Sequence, residues 1–211
     1  MKVYETTALF TVLLIASCQQ YKAAAVSRAP ETPRHRREAT VVRSPDGTLE
    51  AFVCGTPDDL LESEAGGFWV DGQYVGQEAT QIWIADVASG QARLLVHGSE
   101  GYCMFHELAF APDGRQLYFL SSHVATSQAV NRVDLDSGQR TFICPGNSVE
   151  VVQRAGDYCG NLIVSQHRYF IGGGSYDWHW MFTPEGERVG PVQMDADGEI
   201  SDWFRRQYLK M

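Results

Sequence analysis

The sequence predicts an all-β chain of about three four-stranded antiparallel, propeller-like blades followed by a short C-terminal helix. Three observations predict it. A Pro-Asp-Gly turn stands at Ser44-Pro45-Asp46-Gly47 and again at Ala111-Pro112-Asp113-Gly114. A second turn, Asp-x-x-Ser-Gly-Gln, follows each at a matching place, Asp86 to Gln91 and Asp134 to Gln139. Alternating apolar runs flank all four. Internal repetition of this kind takes precedence over local readings, and period-2 alternation between tight turns is the mark of strands.

The first blade begins with Thr40-Val41-Val42-Arg43, turns at Pro45-Asp46-Gly47 and runs on through Leu49 to Val53. Pro presets φ in such a corner and Gly supplies the positive φ. Gln81 to Ala85 and Ala92 to Val96 enclose the Ser89-Gly90 turn as third and fourth strands. The second blade repeats the register with Glu107 to Phe110, Gln116 to Leu120, Ala129 to Val133 and Arg140 to Ile143. Residues 55–80 intrude between the second and third strands of blade one. The third blade is divergent: Ser148 to Val152, a turn at Gly156 to Gly160, Asn161 to His167, Tyr176 to Phe182, a Pro184-Glu185-Gly186 turn, and Arg188 to Gly190. The tail from Ser201 reads as a helix with Ser201 or Asp202 as N-cap and Trp203, Phe204 and Tyr208 on one apolar face.

Blades one and two resemble the Pro-Asp-Gly repeats of TolB-like and related WD40-like propellers, and Ile82-Trp83-Ile84-Ala85-Asp86 matches the third strand of that repeat. The resemblance covers residues 40–144 clearly and extends loosely to 193. It implies a fold and says little about activity. A propeller closes with four to eight blades as a rule. Three blades leave an open wedge, a six-bladed ring made by two chains, or a compact sheet protein that is not a propeller.

Residues 8–17 form an apolar run of signal-peptide length, too short to cross a bilayer as a helix. The run ends in Leu14-Ile15-Ala16-Ser17-Cys18, which resembles the lipobox of bacterial lipoproteins. That resemblance implies a signal peptide at 1–17, lipidation of Cys18, and a lipid-anchored protein on the bacterial outer membrane facing the periplasm, since Gln19 rather than Asp follows the cysteine. Residues 18–38 carry Lys22, Arg28, Arg34, Arg36 and Arg37, two prolines and no apolar periodicity, so they read as a lipidated tether. The folded domain is then 39–211.

Residues 39–211 keep 11 of the 17 basic and 23 of the 26 acidic side chains, a net charge of −12, and Lys210 is their only lysine. Nucleic-acid binding needs a cationic footprint and is excluded on that ground. An acidic surface suits solubility and steers a basic partner. Beyond Cys18 stand Cys54, Cys103, Cys144 and Cys159, an even number in a chain that reads as exported, with three possible connectivities. The preferred pairs are Cys54 with Cys103 and Cys144 with Cys159.

The segment Tyr169-Phe170-Ile171-Gly172-Gly173-Gly174-Ser175-Tyr176-Asp177-Trp178-His179-Trp180 is the first place to look for function. Aromatic and flexible residues together suit a binding loop. The plainer reading is a wide glycine turn with aromatics alternating into and out of a sheet. Asp177 and His179 share one side of a strand, which suits an acid/base pair or metal ligands. His106-Glu107 offers a weaker metal possibility, and neither a zinc spacing nor an EF-hand spacing is present, so no metal and no cofactor is expected. The acidic insertion at 55–80 has an aromatic centre at Phe68-Trp69. These features lead to an expected non-enzymatic module for protein–protein interaction, an immunity or inhibitor protein being one sub-case. Phe68, Trp69, Tyr176, Asp177, Trp178, His179 and Trp180 would meet an unknown periplasmic protein partner. The chain reaches the membrane through its lipid anchor, and a homodimer is the second association to test. The alternative is a small hydrolase or carbohydrate-binding protein that uses the loop 169–180.

Overall fold

The structure, a computed structural model, describes residues 41–54, 81–98, 104–122 and 127–209, together with the strand backbone of 68–70 and 73–75. The apolar run at 8–17, Cys18, the expected tether at 18–38, Cys103 and most of the insertion lie outside the described residues.

The three blades form as the turns dictate. The first sheet takes β1 (Val42–Arg43) and β2 (Leu49–Cys54), then β5 (Gln81–Asp86) and β6 (Ala92–His97) in that order, with β3 (Phe68–Val70) and β4 (Gln73–Val75) as a separate hairpin of the insertion. The second holds β7 (His106–Phe110), β8 (Gln116–Ser121), β9 (Ala129–Asp134) and β10 (Arg140–Pro145). The third holds β11 (Ser148–Val151), β12 (Leu162–Tyr169), β13 (Ser175–Phe182) and β14 (Arg188–Pro191). All neighbours are antiparallel meander partners.

The repeated turns are repeated in atomic detail. Asp86 Oδ1 accepts from the backbone N–H and the hydroxyl of Ser89, both at 2.7 Å, and Gly90 N–H donates to Asp86 O at 2.8 Å. Asp134 does the same with Ser137 at 2.8 and 2.7 Å, and with Gly138 at 2.9 Å. These bonds hold the carboxyls of Asp86 and Asp134 below the usual carboxylate range.

Alternation along the strands stacks the sheets. Ala51, Val53, Ile82, Ile84 and Val96 face Phe110, Leu117, Phe119 and Val133 of the second sheet, with Phe105 edge-on to Phe119 at 5.4 Å. The opposite face of the second sheet, Tyr118, Leu120 and Val130, packs on Val149, Val151, Leu162, Val164 and Phe182 of the third. Each buried Val, Leu, Ile or Phe side chain among these is worth about 1.5–3 kcal/mol. Phe52, Cys54 and Trp83 make a further cluster on the other face of the first sheet. Strand β7 lies beside both β1 and β11, so the three first strands gather on one side, as the inner strands of blades do. The first and third sheets share no core cluster, and the described chain is an open wedge rather than a ring.

The outward face of the third sheet is covered by the chain's own tail. Ile163, Met181 and Val152 pack against Val192, Ile200 and Phe204, with Tyr208 and Leu209 at the margin. The helix α1 (Asp202–Phe204) starts where expected, with the Ser201 hydroxyl accepting from Phe204 N–H at 3.3 Å, and passes directly into one π-helical turn at Arg205–Leu209. The expected apolar face is corrected in one respect: Trp203 is half exposed, because in so short a helix Phe204 alone reaches the core. A ring of two chains stacked blade to blade requires this tail to leave.

The expected Cys144–Cys159 disulfide is not formed. Cys144 is a buried thiol at the end of β10, whereas Cys159 is an exposed thiol in the turn after β11, its Sγ facing Gln153 O at 4.0 Å. The third-blade turn carries the two cysteines to different places, which the spacing alone did not show. Cys54 is buried, and its expected partner Cys103 lies outside the described residues.

Candidate functional site

The register of the third sheet makes its central hairpin project. β12 and β13 pair over their whole length, from Leu162↔Phe182 to Tyr169↔Ser175. β11 accompanies β12 only from Ser165 to Leu162, and β14 accompanies β13 only from Trp180 to Phe182. Residues 166–169 and 175–178 therefore form a two-stranded ribbon that outruns both neighbours. A five-residue turn closes it, with Phe170 N–H bonded to Gly174 O at 3.0 Å. Gly172, Gly173 and Gly174 have φ of 99°, 109° and 84°, a run that side chains with a Cβ do not adopt. The glycines are thus required by the turn, as the plainer reading expected.

The tip is apolar and wet. Ile171 is fully exposed, and Tyr169 and Phe170 are 66 % and 57 % exposed. Phe170 stacks on Tyr176 at 4.6 Å and Trp178 is partly exposed. A two-stranded ribbon with no third strand presents backbone edges as well as side chains, which is how extended partners are recognised.

The strand period divides the residues read together in the sequence. Tyr176, Trp178 and Trp180 share one face of β13 with Phe182, and Asp177 and His179 share the other with Met181. Trp180 is withdrawn from the surface, since it packs against the cluster between the second and third sheets, lies under the Arg188 guanidinium at 4.8 Å, and has a buried indole N–H without a partner. Asp177 bonds not to His179 but to its cross-strand partner His167, Oδ1 to Nδ1 at 2.9 Å. His179 lies farther down the same face. Burial lowers its pKa, against the pull of Glu199, and its Nδ1 is buried with no hydrogen-bond partner. The expected anchors Phe68 and Trp69 lie in β3 opposite Val75 and Tyr74, and their side chains fall outside the described part.

A second feature was not foreseen. A bulge in β7 between His106 and Ala109 turns Glu107 into a left-handed backbone, φ 49°, and aims its side chain at the third sheet. There Glu107 Oε2 accepts the N–H of Val149 at 2.9 Å. Glu107, Glu150, His179 and Arg205 border a cleft of about 400 Å³ between this bulge, β11 and the tail. Arg205 Nη1 stands 3.9 Å from Glu150 Oε2, and burial raises the Glu150 pKa. The metal possibility at His106-Glu107 gives way to ordinary bonding: the two ring nitrogens of His106 are taken by Met104 O at 2.8 Å and Gln128 Oε1 at 3.0 Å. Among the described residues no group of three His, Cys, Asp or Glu is arranged for a metal ion. No helix among them is long and apolar enough to cross a membrane.

No protein-family model and no curated protein matches the chain. Solved structures similar to it include TolB from Acinetobacter baumannii, 17 % identical with a TM-score of 0.46 over 75 % of this chain and 35 % of that one. Another is the Pyrococcus horikoshii acylaminoacyl peptidase, 16 % identical with a TM-score of 0.46 over 74 % of this chain and 25 % of that one. A third is the β-propeller domain of the Trilobed protease from Pyrococcus furiosus, 14 % identical with a TM-score of 0.43 over 77 % of this chain and 44 % of that domain. The chain thus spans less than half of each of them.

Proposed function

We propose that this chain is a propeller-type binding module of the bacterial envelope that recognises another protein through the β12–β13 ribbon. One observation carries the reading: the ribbon outruns its sheet and holds Tyr169, Phe170 and Ile171 in solvent on a backbone built by three left-handed glycines. Exposed apolar side chains in a cluster mark interaction sites, and aromatic anchors dominate the energy of interfaces. The envelope setting rests on the apolar run at 8–17 and on Cys18, whose lipidation would tether the module at a membrane through residues 19–38. An acidic, tethered binder suits an inhibitor or immunity protein that meets a basic secreted protein in the periplasm. The rival, a small hydrolase or carbohydrate-binding protein, would depend on Asp177 and His179 instead.

The test is photocrosslinking in envelopes of cells that express the full chain, with the reactive side chain placed at Ile171 or, as a control, at Glu187, which is exposed at the opposite end of β13. A discrete protein adduct from position 171 that is absent from 187 is expected. Equal adducts from both positions, or none from 171, would overturn the proposal.

A further inference from the structure

The cleft between the β7 bulge, β11 and the tail has walls and charges that match one kind of group. Leu108, Ile163 and Ile200 supply apolar walls, and Glu107 and Glu150 supply carboxylates at the border. The bulge and the left-handed φ hold Glu107 in place, with Oε2 taken by the Val149 N–H. Among the described residues Glu150 has Arg205 as its neighbouring cation, at 3.9 Å, longer than a hydrogen bond. His179 adds no charge to offset the carboxylates when its ring is neutral, and Glu199 and Asp177 add negative potential around it. The cleft therefore has an excess of negative charge above an apolar floor, with a buried ring nitrogen left without a partner.

We infer that this cleft is a socket for the alkylammonium side chain of a lysine supplied by a partner protein. A lysine stem lays its methylenes along apolar surface while its head seeks carboxylates. A compact ammonium with three donors can serve Glu107 and Glu150 together. The volume of about 400 Å³ admits one side chain with room for water. The net charge of −12 on residues 39–211 steers such a partner toward this surface. The inference rests on the reading of the chain as a protein-binding module.

The experiment follows the methyl resonances of Ile163 and Ile200 in the purified protein as Nα-acetyl-lysine N-methylamide is titrated, with the norleucine analogue as the uncharged isostere. Saturable shifts with the lysine derivative and none with norleucine are expected. Glu150→Gln should weaken the lysine derivative on the order of tenfold. Arg205→Gln, which removes the competing cation, should strengthen it, so that a loss of fold cannot imitate the pattern. Equal shifts with norleucine, or indifference to both substitutions, would overturn the socket. Tighter binding of free cadaverine than of the lysine derivative would overturn the protein source. Because the readout needs no partner, failure here leaves the ribbon standing, whereas failure of the crosslinking at Ile171 removes the protein partner and leaves only an affinity of the cleft for an alkylammonium group.

Discussion

The carboxylate of Glu107 bonds to the backbone N–H of Val149 at 2.9 Å and so ties the first strand of the second sheet to that of the third. Glu107 holds a left-handed conformation to do this, at φ 49°. Glu107→Ala should destabilise the fold by about 1–3 kcal/mol through the orphaned N–H. Glu107→Gly, which loses the same bond and relieves the backbone, should retain about 1 kcal/mol more stability than the alanine variant. Denaturant unfolding of the two variants decides it, and an alanine variant as stable as the glycine one would show that the backbone is unstrained.

The Thr183-Pro184-Glu185-Gly186 turn presses on the second sheet. Gly186 has φ 92°, and a Cβ there would lie 2.7 Å from Ile143 O, whereas a Cβ at Gly90, φ 69°, would meet nothing within 4 Å. Gly90→Ala should cost about 1 kcal/mol from backbone strain alone. Gly186→Ala adds a backbone clash and should cost about 2–4 kcal/mol. Thermal unfolding of the pair measures the difference.

Burial lowers the pKa of His179 below its ordinary 6.5. The unfolded ring then binds its proton more readily than the folded one, so stability is lost as pH falls through 6.5 toward the folded value. His179→Leu removes both the titration and the orphaned Nδ1. The variant should be at least as stable as the wild type at neutral pH and should gain on it as pH falls below 6.5, in melting curves recorded side by side.

The thiols of Cys144 in β10 and Cys159 in the turn after β11 should differ in reactivity. Burial pushes the Cys144 thiol up to about 12, while Cys159 is exposed. Alkylation of the native chain followed by peptide mass analysis should label Cys159 and spare Cys144 until the fold is opened. Recovery of a cross-linked peptide pair containing both would contradict the free thiols seen here.

Much of the fold was legible because turn chemistry repeats with the strands. The Asp86 and Asp134 turns share their hydrogen bonds as they share their letters, and all twelve strands of the three sheets fall where the alternation placed them. The site was legible only in part. Period 2 alone separates Trp178 and Trp180 from Asp177 and His179, and stepping outward residue by residue from a turn at Phe170 to Gly174 brings His167 opposite Asp177. What sequence could not give were the long-range pairings: Glu107 reaches Val149, and Arg205 stands near Glu150, across 42 and 55 positions. A bulge and a returning tail leave no local periodicity to read. The Cys144–Cys159 expectation failed for the same reason, since closeness along the chain does not fix closeness across a blade.

The most direct measurement is the affinity of the protein captured at Ile171 for three purified forms: Ile171→Asp, Trp178→Ala, and the double variant Asp177→Asn with His179→Gln. The account predicts that the first two lose at least tenfold, about 1.4 kcal/mol each, while the double variant keeps its binding. Loss confined to the double variant, with the two ribbon variants unchanged, would contradict it and move the site to the Asp177 and His179 face.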